Sequence, residues 1–208
     1  MLKLSEVFDW QVQTLIQKGY PSQVGMSAAE FQQQLARLQV HVGKLSDAEI
    51  APKTGRLPFV IVVKTVWEKE SQILPLVERE GQKGMVSMSP VSPTDFKPIE
   101  SVSIPDGMAY LLVDIDRGGA TLNVRPADAL PIIHVANRSP LTIDEGIAIL
   151  THFPDFLQKN HCFSLLASRR SDRRVPALWL SAGKPKLGWC WNENPHTWLG
   201  SASCEQRL

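Results

Sequence analysis

The side chains able to hold a metal, attack an electrophile or grip an anion gather late in this chain. From Asn160 onward lie all three cysteines (Cys162, Cys190, Cys204), four of the six tryptophans and two of the five histidines, His161 and His196. The run Ser168-Arg169-Arg170-Ser171-Asp172-Arg173-Arg174 lies among them. Guanidinium forks bind planar oxyanions bidentately, so this run is a candidate clamp for an anion. The bland alternative is a solvated hairpin loop in which Asp172 pairs with its neighbours. Cys190, His196 and Cys204 are spaced C-x5-H-x7-C. That spacing lacks the close C-x2-C pair that pre-orients zinc ligands, so neither a metal nor a cofactor is expected. A nucleophile pair from Cys162 or Cys190 with His161 or His196 has no supporting spacing, and adjacent His161 and Cys162 would face opposite ways on a strand. Asp114 and Asp116, two apart at a strand end, could hold a divalent ion or act as acid and base, though such pairs more often only end a strand. No G-x-S-x-G, H-E-x-x-H, C-x-x-C, Walker or G-x-G-x-x-G signature is present, which weighs against the mainstream enzyme classes.

The elements that must position these residues are three strand-like runs, at 162–168, 175–181 and 186–192. They are joined by the arginine run and by Ala182-Gly183-Lys184-Pro185. Short links imply an antiparallel meander. Cys162 begins the first strand and Cys190 lies near the end of the third. They are thus separated by about four residues at ~3.3 Å along the strands and two spacings of ~4.8 Å across them, too far to share a metal or a disulfide. By the same geometry the arginine loop and the Asn192 to Trp198 loop emerge at one end. Arg173, Arg174, Asn192, Asn194 and His196 are therefore the candidate ligand-binding residues. Leu187, Trp189 and Trp191 recur every second residue, the pattern of a strand with one buried face, and are expected in the core.

Earlier in the chain, Phe8, Val12, Leu15 and Ile16 stripe a helix over residues 5–18, with Ser5 as N-cap and Gly19 as stop. Ser27-Ala-Ala-Glu30 is a capping box that starts a second helix ending at Gly43. Leu57 to Val63, apolar on both faces, reads as an interior strand whose far end carries Trp67. Residues 68–80 show a helical pattern interrupted by Pro75. From Gly81 to Pro105 the Ser-, Pro- and Gly-rich composition predicts a long loop or lid. Met108 to Asp116 is a second central strand and residues 126–133 a short helix. Thr142-Ile-Asp-Glu145 caps a helix that Pro154 ends.

Lys and Arg total 22 against 21 Asp and Glu, so the overall field attracts neither nucleic acid nor an anionic membrane, and neither is expected as a partner. No run approaches the roughly 18 apolar residues of a spanning helix. Glu6 and Asp9 precede any apolar run, unlike a cleaved secretory signal, and a cytoplasmic protein is expected. The fold class is α+β. A mixed or largely antiparallel sheet carries a C-terminal three-stranded meander and flanking helices, in a single domain over 1–208 with a helical N-terminal segment (1–51) and a sheet-containing body (52–208).

Asn160-His161-Cys162-Phe163, Asp172-Arg173-Arg174-Val175-Pro176-Ala177-Leu178-Trp179, Pro185-Lys186-Leu187-Gly188-Trp189-Cys190-Trp191 and Asn194-Pro195-His196-Thr197-Trp198-Leu199-Gly200 together resemble an uncharacterised bacterial family of proteins of about 200 residues. The family is catalogued as a domain of unknown function and is common in actinobacteria. Lys18-Gly19-Tyr20-Pro21, Tyr110-Leu111-Leu112-Val113-Asp114 and Pro140-Leu141-Thr142 with Glu145-Gly146 fit the same family. The resemblance implies a bacterial, soluble, single-domain protein and assigns no catalytic residue. The functional expectation is a binding module for an anionic small molecule or a protein partner, through the Arg169 to Arg174 and Asn192 to Trp198 loops. The alternative is an enzyme or metalloprotein using Cys190 and His196, or Asp114 and Asp116.

Overall fold

Runs of β-branched and aromatic residues set the longest strands, and short polar turns separate them. The computed structural model describes residues 3–46, 48–64, 74 and 76–208. Trp67 and most of the interrupted helical pattern at 68–80 lie outside the described residues. In chain order the strands are β1 (Arg56–Val63), β2 (Glu78–Arg79), β3 (Gln82–Lys83), β4 (Met85–Val86), β5 (Lys97–Pro98), β6 (Ala109–Asp116) and β7 (Ser139–Pro140). They continue with β8 (Cys162–Ser164), β9 (Ser168–Arg169), β10 (Arg174–Ser181), β11 (Lys184–Trp191), β12 (Leu199–Ser201), β13 (Ser203–Cys204) and β14 (Gln206–Arg207). The fold is α+β with mostly antiparallel sheets. One sheet runs β1-β6-β13-β7 with β14 also on β6, and another runs β12-β8-β10-β11-β4.

β1 pairs with β6 from Arg56 opposite Asp116 to Val63 opposite Ala109. β1 is the edge of its sheet rather than an interior strand. Its apolar character on both faces comes from cover supplied by helices. Gln11, fully buried on the helix Leu4–Gln17, donates through Nε2 to the Phe59 carbonyl (3.3 Å) and accepts the Ile61 amide at Oε1 (2.8 Å). One side-chain amide thus takes the place of a neighbouring strand for part of the edge. Phe8, Val12 and Leu15 of that helix join the same buried cluster as Phe59 to Val63, Tyr110 to Val113 and the helix Ile143–His152.

Helix starts follow the capping chemistry. Ser27 accepts the Glu30 amide (3.3 Å) while Glu30 accepts the Ser27 amide (2.9 Å), and Thr142 and Glu145 repeat the arrangement at 3.3 and 2.7 Å. At the first helix the cap is Lys3, not Ser5: its amide donates to Glu6 Oε2 (2.9 Å). The second helix breaks into Ala28–Ala36 and Gln39–Val42. The helix expected at 126–133 spans Pro126–Val135.

β10 and β11 form a hairpin with full register from Arg174 opposite Trp191 to Ser181 opposite Lys184. Ala182 and Gly183 turn it with φ of 49° and 81°, the left-handed pair a two-residue hairpin demands. The first strand of the meander is shorter than the sequence pattern predicts. β8 ends at Ser164: Leu165 N still donates to Pro176 O of β10 (2.9 Å), but at Ala167 the backbone finds partners outside the sheet, where Ala167 N donates to Leu141 O (2.9 Å) and Ile99 N to Ala167 O (2.9 Å). Arg169 then pairs with Lys97. The Gly81 to Pro105 segment is a strap rather than a loose lid. β4 runs parallel beside β11, β5 pairs with β9, and Met88, Val91, Phe96 and Val102 are buried. No helix among the described residues is long and apolar enough to cross a membrane.

Candidate functional site

Strand alternation places Val175, Ala177 and Trp179 of β10 on one face with Lys186, Gly188 and Cys190 of β11. Trp179 leans diagonally across Gly188: a Cβ there would sit 2.1 Å from the Trp179 Cη2 atom. A missing side chain in β11 therefore seats a large one from β10. The segment beyond β11 returns over this face because its backbone is held by the turn before the helix Pro126–Val135 and by that helix's first residues. Ala127 N donates to Asn192 O (3.0 Å), Asn123 N donates to His196 O (3.0 Å), and Ser201 N donates to Thr121 Oγ1 (2.8 Å). These contacts lay Trp198 edge-on to Trp179, centroids 6.4 Å apart at 62°, with His196 tilted at 34° and 5.1 Å from Trp198.

The result is an open cleft of about 380 Å³. Trp179, Trp198, His196, Asn194 and Cys190 line it, together with Ala177, Trp189, Trp191 and Leu199. All four indoles keep contact with water, and Trp191 is 41% exposed. Burial pushes the Cys190 thiol up to about 11, against relief from Ser164 and Arg169.

The arginine loop and the Asn192 to Trp198 loop do share an end: Asn192 N donates to Arg173 O (2.8 Å). Asn194 and His196 line the cleft, whereas Arg173 extends beside it, with Nε 3.9 Å from Glu193 Oε1 and a side chain 76% exposed. Asn192 does not line the cleft; its Nδ2 donates to Glu193 (3.3 Å) and its Oδ1 is buried without a hydrogen-bond donor among the described residues. Arg174 points to the opposite face of the hairpin. There its guanidinium lies over Trp189 at 4.6 Å and Trp191 at 5.2 Å and contacts Asp172 at 2.5 Å. Arg170 is held by Asp172 (3.0 Å) and Asp95 (3.1 Å), so Asp172 bridges two of the four arginines. The guanidinium of Arg169 makes no hydrogen bond or ion pair among the described residues, although it is close enough to Cys190 and Glu193 to feel both; burial lowers its pKa.

The expectation of a buried Trp191 is corrected, and Trp189 is only partly buried, packed against the edge of the core. Leu187 is fully buried, but the two indoles pack edge-to-face at 4.9 Å around Arg174 at the strand end. Alternation located their common face, on which Leu178 packs closely against Gly146 of the helix Ile143–His152. The Cys190, His196 and Cys204 set is split, since Cys204 is buried in β13 of the other sheet. Among the described residues no three His, Cys, Asp or Glu side chains group so as to hold a metal. Asp114 and Asp116 lie apart from the cleft at the end of β6. Asp114 contacts Arg138 (2.7 Å), and Asp116 contacts Arg56 (2.6 Å) and accepts the Gly118 amide (2.6 Å).

Trp179 is the cleft residue the sequence reading passed over. Its signal was present: once Ser181 faces Lys184, Trp179 stands diagonal to Gly188, a large residue beside the smallest. A family model described as "Family of unknown function" (DUF5701) matches residues 14–208. No curated protein and no solved structure matches the chain.

Proposed function

The chain belongs to the family of unknown function DUF5701, and from that premise we propose that it is a small-molecule-binding protein whose site is the indole-walled cleft over β10 and β11. One observation carries the reading: Trp179, Trp198, His196 and Asn194 converge on an open concavity of about 380 Å³. Partly hydrated indoles in a concave setting gain on being covered. Removing ~100 Å² of their surface from water is worth roughly 2.5 kcal/mol. The amide of Asn194 and the imidazole of His196 supply the few polar groups that orient a ligand in such sites.

Binding is favoured over Cys–His catalysis, although Cys190 and His196 both line the cleft. A thiol pushed up to about 11 carries almost no thiolate at neutral pH. All three cysteines are free thiols, which fits a reducing compartment, so we place the protein in the cytoplasm. A bacterial source is what the motif resemblance implies.

The test is a fragment screen read by thermal shift and by the indole NMR signals. Flat fragments are expected to raise the melting temperature by mass action, and Trp198→Ala and Asn194→Ala to remove the shifts. Fragments that bind both variants as they bind the parent would move the site elsewhere.

A further inference from the structure

Resting on that reading, we propose that the cleft selects flat ring compounds carrying a carboxylate or a phosphate and rejects cationic rings. Aromatic cages that take cations offer open indole faces, since the ring quadrupole attracts positive charge. Here three of the four indoles lining the cleft already face a cation of the chain itself. Lys186 Nζ lies 5.5 Å from the centroid of Trp179, and Arg174 lies over Trp189 and Trp191. A second cation on Trp179 would meet like charge, and Arg174 already engages Trp189 and Trp191 from the opposite face of the hairpin.

The rim charges point the same way. Lys186 lies against Trp179, Arg169 is close enough to Cys190 to feel its charge, and Arg173 extends beside the cleft with Glu193, an acid, 3.9 Å away. Asp172 does not offset this surplus, because Arg170 and Arg174 engage it. Arg169, without an ion pair among the described residues, is a donor group left for an oxyanion. The ring requirement comes from the walls. Trp179 and Trp198 meet at 62° and His196 lies at 34° to Trp198, so a planar body can lie along one indole with its edge toward the other. A volume of about 380 Å³ admits a bicyclic ring with one substituent.

Four probes sharing one ring separate the terms: 2-naphthoate, 2-naphthyl phosphate, 2-naphthylmethanol and (2-naphthylmethyl)trimethylammonium. Each is titrated into the full chain at low ionic strength and followed by indole NMR. The anions are expected to bind at least tenfold tighter than the alcohol, and the ammonium more weakly than the alcohol. Raising the salt should shrink the anion advantage. Whichever anion is the tighter identifies the head group. Arg173→Gln, at an exposed position, and Lys186→Gln should each cut the ratio of anion to alcohol affinity at least threefold. An ammonium probe equal to or tighter than the anions, or an anion preference unmoved by both variants, overturns the charge assignment and leaves the cleft standing. Failure of all four probes overturns the cleft reading as well.

Discussion

Trp189, Trp191 and Arg174 show how a residue's neighbours, more than its type, set its worth. Trp189 Nε1 donates to the Met88 carbonyl (3.0 Å), and its ring and that of Trp191 flank the Arg174 guanidinium at the hairpin's end. Trp191, 41% exposed, has less burial to lose than a core aromatic. Trp191→Ala is expected to cost about 1 kcal/mol or less in urea unfolding. Phe163, fully buried against Phe156 at 5.5 Å, is the contrast: Phe163→Ala should cost about 3–5 kcal/mol. Equal losses for the two variants would mean the hairpin end is core after all. Gly188 is the residue on which the cleft's shape turns. Gly188→Ala places a methyl 2.1 Å from Trp179 and 3.1 Å from the Ser87 carbonyl, and a rigid indole cannot yield without swinging away. Its expected cost is about 1–3 kcal/mol, with a changed Trp179 indole signal; an unchanged spectrum would refute the packing. Asn194 and His196 were legible as site residues because both sit in a loop that strand counting places at the hairpin's end. Arg174 was not separable from Arg173, because which face a terminal residue takes depends on where the strand begins.

At the scale of elements, two polar contacts decide how the pieces join. Gln11 ties the first helix to the open edge of β1, bonding Phe59 O and Ile61 N. Gln11→Leu leaves two buried backbone groups without partners, at about 1–3 kcal/mol each. The amides of Phe59 to Ile61 should then exchange hydrogen faster, and unchanged protection would show that the helix is held by packing alone. At the other end of the chain Arg207 of β14 forms a two-pronged pair with fully buried Glu145, at 2.5 and 2.9 Å. Arg207 also donates to Ser139 Oγ (2.6 Å) and Pro140 O (2.7 Å), and Tyr110 donates to Glu145 (2.9 Å). Removing one charge strands the other in the core, so Arg207→Met should cost about 3–5 kcal/mol. The double change Arg207→Met with Glu145→Gln should cost less than the two single losses summed, and strict additivity would rule out the coupling. The capping box predicted at Thr142 to Glu145 was legible. That its glutamate would also receive an arginine 62 residues away was not, since local spacing is silent about distant strands.

Across the whole molecule, buried titratable groups bound the pH range of stability. Burial holds His152 down to about 3, with its Nε2 beside the Ile61 carbonyl (3.2 Å) and Lys18 opposing its protonation further. The unfolded chain takes up that proton near 6.5 while the native state does not, so stability is full above about 6.5 and falls toward 3. The slope is up to about 1.4 kcal/mol per pH unit. On the alkaline side, burial raises Cys190 to about 11 and Cys204 and Tyr20 to about 12. These groups keep their protons in the native state while the unfolded chain loses them from about 9 upward, so stability falls as pH climbs through that window. Urea midpoints should therefore be flat between about pH 7 and 8.5 and fall on both sides. His152→Met should flatten the acid side between pH 6.5 and 4 whatever its effect at neutrality. An acid slope equal to that of the parent would assign it to the carboxylates instead.

What the sequence determined by itself was everything encoded within one or two turns of chain. The capping boxes at Ser27 and Thr142 fell where side-chain oxygen and glutamate spacing put them. The strands β1, β6, β10 and β11 followed β-branched and alternating runs, and the shared end of the two late loops followed from the hairpin between them. Only the tertiary structure decided that β1 is an edge closed by Gln11, that β8 ends at Ser164, and that Trp179 rather than Arg174 belongs to the cleft. Each of these rests on competition for a backbone hydrogen bond or a packing face by groups far apart in the chain. Such competition is settled when the layers meet, and no local pattern records the winner.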